Sequence, residues 1–183
     1  MSKLNTLHDL FLEELRDLYH AENQLLKALP EMELAAHNGE LKLLIVAHRR
    51  LTGAHVQRLE AIFESLDVPA KGRTCKAMKG LIAEARSHLR QRSGPAVRDA
   101  SIISSAQRIE HYEIAGYGTA RAFADMLGYT EVSELLQKTL EEESAADHQL
   151  SFIAQGLNLV AMVNADDFGR SKASHFFSHD NHH

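Results

Sequence analysis

Tryptophan is absent, cysteine occurs once and proline three times in 183 residues. Each shortage excludes something. The single thiol, Cys75, permits no internal disulfide, so the chain is expected to work in a reducing compartment such as the cytoplasm. With ten glycines and three prolines there are few breakpoints, whereas Leu, Ala, Glu, Lys and Arg abound, and the composition leans to helix. No uninterrupted apolar run approaches the ~20 residues that a membrane span needs. The opening MSKLNTLHDLF has neither a long apolar core nor a small-residue cleavage site, and no signal peptide is expected. The formal net charge is −5, and no basic block marks a nucleic-acid partner. What is present is 44% hydrophobic and 25% charged residues, at a length that suits one domain with a sizeable core.

Apolar periodicity and turn signals predict four long helices and one shorter connector. The first covers about Leu7 to Ala36, capped by Thr6 or Asn5, with Pro30 expected to kink or interrupt it. HNGE at 37–40 is a turn, and the second helix covers Leu41 to Leu66. DVPAKGR ends that helix, a short helix follows over Cys75 to Leu89, and RQRSGPA breaks the chain again. The third long helix covers Ala96 to Leu127. Gly128 is its left-handed stop, Thr130 caps the next, and the fourth covers Glu131 to Leu159. Two helical hairpins joined by a long middle segment predict an all-α, ferritin-like four-helix bundle with one long crossover carrying the extra short helix. The expected domain is 1–160, followed by a polar, histidine-containing tail over 161–183.

Each long helix has an apolar stripe at steps of three and four, and each stripe has a polar interruption. The first stripe runs Phe11, Leu15, Leu18, Glu22, Leu25, Leu29, Met32. The second runs Leu41, Leu44, His48, Leu51, His55, Leu59, Ile62, Leu66. Glu110 and Glu113 interrupt the third, in the run RIEHYEIAGY, and Glu143 and Asp147 the fourth. One buried carboxylate alone would cost several kcal/mol or take up a proton. In any single helix an inward acid paired with Lys or Arg is the blander explanation. Four helices doing this together point elsewhere.

Heights along the bundle agree. Counted from the hairpin turns at ~1.5 Å per residue, Glu22 comes level with positions 51–55, and Glu110 with Glu143 and Asp147. Carboxylates and imidazoles converging at one level can share their charge with cations. Hard oxygen ligands with some nitrogen suit iron or manganese, and two ions held close together need bridging carboxylates.

The stretches LRDLYHAENQLLKAL (15–29), CKAMKGLIAEA (75–85), RDASIISSAQRIEHYEIAGYGT (98–119) and LLQKTLEEESAADHQL (135–150) resemble the YciE/YciF family of ferritin-like bacterial stress proteins over about residues 6–157. The resemblance implies a homodimeric four-helix bundle with a non-haem di-metal site and a ferroxidase activity that uses peroxide or oxygen. It places metal ligands at Glu22, Glu110, Glu143 and Asp147, with Glu113 and His55 beside them. The second helix departs from the family pattern: HRRLTGAH puts Leu51 where an acid is expected, and the Glu-x-x-His spacing is missing because position 52 is Thr. His55, with or without His48, then supplies nitrogen, or the site is lopsided. Two other functions stay open: a non-catalytic helical dimer with a degenerate metal site, and peroxide dismutation in the manner of manganese catalases.

Other residues have blander expectations. His111 is expected at the surface or just behind the ligands, and Tyr112 and Cys75 in packing. Tyr19 and Tyr117 lie near the level of the site, and packing is the stronger expectation for both. Glu141 and Glu142 are expected to face solvent. The tail histidines His175, His179, His182 and His183 could bind metal loosely, although a disordered polar end is the simpler account.

Overall fold

The computed structural model describes residues 4–71 and 73–176, with side chains through residue 163. Five helices follow in order: α1 (Leu7–Ala35), α2 (Gly39–Ser65), α3 (Lys76–Arg90), α4 (Pro95–Met126) and α5 (Thr130–Phe176). Helices α1 and α2 form one hairpin and α4 and α5 the other. α1 also packs on α4 and α2 on α5, while α3 lies in the crossover against α1 and α4. This is the four-helix bundle with one long connection that the hairpin pattern predicts. Among the described residues no helix is long and apolar enough to cross a membrane.

Local chemistry sets the helix ends. Thr6 caps α1 in a capping box with Asp9: the Thr6 hydroxyl accepts from Asp9 N–H at 3.1 Å, and Asp9 accepts from Thr6 N–H at 3.0 Å. Asn38 caps α2. Cys75 is the N-cap of α3, so that helix begins one residue later than expected. Gly128 has φ +76° and closes the α4–α5 turn in the left-handed region. Pro30 does not interrupt α1, which stays helical to Ala35. The proline removes one backbone hydrogen bond, while Ala28, Leu29 and Met32 around it are buried in the core. Helix α5 continues far beyond Leu159, because no proline or turn signal stops it there. The part of the expected tail over 177–183, with His179, His182 and His183, lies outside the described residues, as does the side chain of His175.

The core has two lobes. One surrounds Leu25, Leu29, Met32, Ile45, Ile109 and Leu150 and extends under α3 to Met78 and Ile82. The other holds Phe11, Leu15, Leu59, Phe63, Tyr117 and Leu136 near the opposite end. The first-helix stripe is buried at every expected position. The second is not. Leu44, Leu51 and Leu66 sit half-buried on its flank, and Ile45, Thr52 and Phe63 take the inward places. At Gly116 α4 and α1 approach closely: a Cβ there would lie 2.8 Å from Leu18 Cδ2.

Candidate metal centre

Between the two apolar lobes the bundle closes over four carboxylates and two imidazoles. Glu22 comes from α1, His48 and His55 from α2, Glu110 and Glu113 from α4, and Glu143 from α5; all six are buried. Their ligand atoms form two groups, His48–Glu110–Glu113–Glu143 and Glu22–His55–Glu143. Within each group the atoms lie within 4.8 Å of one another. Glu143 belongs to both, as a carboxylate bridging two cations would.

The contacts inside are short. His55 Nδ1 lies 2.9 Å from Glu143 and 3.2 Å from Glu22. His48 Nε2 lies 3.3 Å from Glu110 and 4.0 Å from Glu143. Yet these atoms are close without hydrogen-bond alignment. Among the described residues, nine of the ten buried side-chain nitrogen and oxygen atoms lacking a hydrogen-bond partner belong to these six residues. Native interiors rarely leave such groups unpaired.

Asp99 provides the contrast. It is an equally buried acid, but it accepts from His37 N–H at 2.7 Å and Asn38 N–H at 2.8 Å and so ties the α1–α2 turn to α4. A buried carboxylate with a structural task is satisfied by backbone donors; the central four are not. Two divalent ions would neutralise four carboxylates, and the donor set of hard oxygens with two nitrogens suits such ions. The residues therefore fit a metal, and a buried His/Glu group able to hold one is present.

The charge states follow from this crowding. Burial drives the Glu110 and Glu113 carboxyls well above the usual range, and neighbouring acids push them further. Glu22 is raised, chiefly by burial, against the pull of His55. Burial would depress His55, but Glu143 and Glu22 beside it prevail and hold its imidazolium up to about 10. Burial lowers His48, whose net environment favours the neutral ring. Glu143 is lowered: burial opposes its charge, and His55 and His48 outweigh that. The metal-free cluster thus keeps itself near neutrality with protons, which a metal would displace.

Partners outside the six hold them in place. Tyr117, wholly buried, donates to Glu22 Oε1 at 2.5 Å, so it is a hydrogen-bond donor to the cluster as well as a packing residue. Glu142 is partly exposed and does more than face solvent as expected. It meets His55 Nε2 at 3.0 Å and accepts from Arg58 at 2.9 Å and 3.4 Å, while Arg58 also reaches Thr139. The far nitrogen of His55 is thereby committed to a carboxylate and Nδ1 is turned to the cluster, the outer-shell arrangement common behind metal-bound histidine. In the sequence the only clue was Arg58, one turn beyond His55.

The remaining expected residues lie elsewhere. Asp147 is outside both groups, at 3.3 Å from Gln107 Nε2 and 3.3 Å from the exposed His111. Tyr19 donates to Glu60, away from the cluster. Cys75 is buried and Tyr112 packs, yet the two also meet at 3.0 Å, and Tyr112 donates to Asp17. Leu51 does not stand at a ligand position, because Thr52 takes the inward place and donates to its own helix at His48 O, 3.1 Å away.

Comparison with known proteins agrees with this architecture. The chain is 40% identical over 152 residues to the Escherichia coli protein YciF, spanning 82% of this chain and 92% of that protein. The crystal structure of the E. coli stress protein YciF superposes with a TM-score of 0.82 at 39% identity, over 84% of this chain and 98% of that one. YcfI of Rhodopseudomonas palustris, provisionally described as a structural protein, superposes at 0.80 with 40% identity, over 81% and 95% of the two chains. Residues 6–162 match the domain of unknown function DUF892, and the chain belongs to that family.

Proposed function

We propose that this chain is a di-metal protein of the ferroxidase type, with two iron ions, or manganese, held between the helices. The observation that carries the reading is the pair of ligand groups sharing Glu143, with their buried oxygens and nitrogens left without partners. In this reading Glu22, His55 and Glu143 hold one ion, and His48, Glu110, Glu113 and Glu143 the other. Asp147 stands one turn behind Glu143, at the edge of the cluster. Carboxylate-rich ligation favours Fe(III) over Fe(II), the bias that Fe(II) oxidation needs. With peroxide as oxidant, two Fe(II) each give one electron, the O–O bond breaks, and two hydroxides form. The chain's own part is to bind and orient the ions, exclude bulk water and release the protons that the empty cluster holds.

The test is elemental analysis of protein produced with iron and manganese, followed by Fe(II) oxidation with peroxide and with oxygen. Two metals per chain and oxidation that is lost in Glu110→Ala with Glu143→Ala support the reading. Absence of stoichiometric metal and no effect of the double variant end it.

A second reading is favoured by one observation: Thr52 and Ala146 stand where a Glu-x-x-His pair on each of α2 and α5 would complete a ferritin-like site. It takes the chain as a helical stress protein with a decayed centre, in line with the structural role given provisionally to YcfI. Under it, metal leaves the melting temperature unchanged.

A further inference from the structure

Beside the cluster lies a cavity of about 20 Å³, walled by apolar side chains including Ile45, Leu150, Ala106 and Ala146, with His48 and Glu110 at one edge. Two small residues make it. Ala146 follows Glu143 by three positions, where a longer side chain on α5 would point into the same space, and Ala106 lies one turn before Glu110 on α4. About 10–15 Å³ of such space holds one water-sized molecule, so there is room for one small guest. A resident water needs two to four polar partners; His48 and Glu110 at the one edge are the lower limit of that, the rest of the wall is apolar, and apolar space favours apolar guests. Peroxide, which donates and accepts hydrogen bonds, would surrender on entering those that His48 and Glu110 cannot replace.

We propose that this cavity is a docking site for dioxygen, placed against the His48–Glu110 side of the cluster. The proposal rests on the ferroxidase reading and names the oxidant of that site. Dioxygen is apolar, small enough for the space, and delivered within reach of the ligand group that holds one of the two ions. The step balances with the two ions: each Fe(II) loses one electron, and dioxygen takes both electrons with two protons from solvent. Hydrogen peroxide leaves, with its O–O bond intact.

Two measurements test this, one of them independent of iron. Crystals of the metal-free protein under xenon pressure should show xenon in the cavity, and Ala146→Leu should abolish it. In stopped flow, Ala146→Leu and the milder Ala106→Val should slow dioxygen-driven Fe(II) oxidation several-fold. Metal stoichiometry and the peroxide-driven rate should remain those of the wild type. Should Ala146→Leu fail to fold, Ala106→Val and wild-type xenon binding decide the matter. A cavity that takes no xenon, or variants that slow both oxidants equally, overturn the proposal while leaving the metal centre standing. Xenon binding in a protein that oxidises Fe(II) with neither oxidant ends the ferroxidase reading, and the dioxygen assignment with it.

Discussion

Glu113→Met separates a working metal centre from a decayed one by the sign of its effect. Both Glu113 oxygens are buried and have no hydrogen-bond partner. Burial, with Glu22 and Glu143 near, holds the carboxyl well above its usual range, so the metal-free protein buries it as a neutral, unsatisfied acid. Such a group costs about 1–3 kcal/mol. Methionine has similar length, no polar group to satisfy and enough flexibility to fit; a swap of this size sacrifices under about 1.5 kcal/mol to imperfect packing. The net expectation in excess chelator is stabilisation by roughly 1–2 kcal/mol. For a domain of this length each kcal/mol moves the midpoint by ~2–4 °C, so the variant should melt about 2–8 °C above wild type by far-UV circular dichroism. With metal the order reverses. A ligand at a hundred times its dissociation constant stabilises the wild type by about 2.7 kcal/mol, and the variant, short of one ligand, gains less. The reasoning fails if Glu113→Met melts below wild type in chelator, because Glu113 would then have native partners. It fails equally if metal raises both proteins by the same amount.

Three further expectations concern the surroundings of the cluster. Glu142→Gln should weaken metal binding by about 10–100-fold in a competitive chelator titration, with Arg58→Gln weaker in effect and the double variant no worse than Glu142→Gln, since Arg58 acts through Glu142; additive losses would separate the two. Metal binding near neutral pH should release protons, at least the one that His55 holds with its pKa at about 10, and apparent affinity should fall as pH falls because protons compete for the raised carboxyls; calorimetry in buffers of different ionisation enthalpy measures the number, and zero refutes the charge picture. Gly118→Ala, with nothing within 4 Å of the new methyl, should stabilise by about 0.5–1 kcal/mol, whereas Gly116→Ala drives a methyl to 2.8 Å from Leu18 and should be less stable than Gly118→Ala by about 1–3 kcal/mol in urea unfolding.

The sequence revealed the bundle well and the second helix poorly, for a physical reason. In α1 the stripe of large apolar residues and one glutamate is buried throughout, and steps of three and four pass over only Leu12, Ala21 and Ala28 beside it. In α2 two rows of apolar residues run side by side, and a reading that prefers leucine follows the flank through Leu44 and Leu51. Thr52 stands outside that row. It tolerates burial because its hydroxyl is satisfied by its own helix, an option that sequence periodicity does not register. Glu142 was missed for a different reason: its partners His55 and Arg58 are far away in the chain, and within LEEES nothing distinguishes it from Glu141 except its neighbour Glu143. Asp147 follows Glu143 by four residues and Ala146 by three. Those steps bracket the inward direction, and the structure buries Ala146 and leaves Asp147 at the edge.

That register changes what the absence of an acid in α2 means. With Leu51 on the flank, the inward triplet on α2 is His48, Thr52 and His55, and α2 contributes imidazoles only. A symmetric ferritin-like site takes a glutamate and a histidine from each of two helices and one glutamate from each of the others. Here Thr52 lacks the first carboxylate and Ala146 the second imidazole. Each loss has a neighbour that offsets it. His48, one turn before Thr52, brings nitrogen to the group on the α4 side, and Glu110, one turn before Glu113, brings a second carboxylate there. The count of four carboxylates and two imidazoles is preserved while its symmetry is not: three residues form one group, four the other, and Glu143 belongs to both. A decaying site would lose ligands without replacement, leaving paired or apolar side chains behind. This cluster instead retains four carboxylates and two imidazoles with nine of their polar atoms unpaired, and that is a costly arrangement for a bundle with nothing to bind.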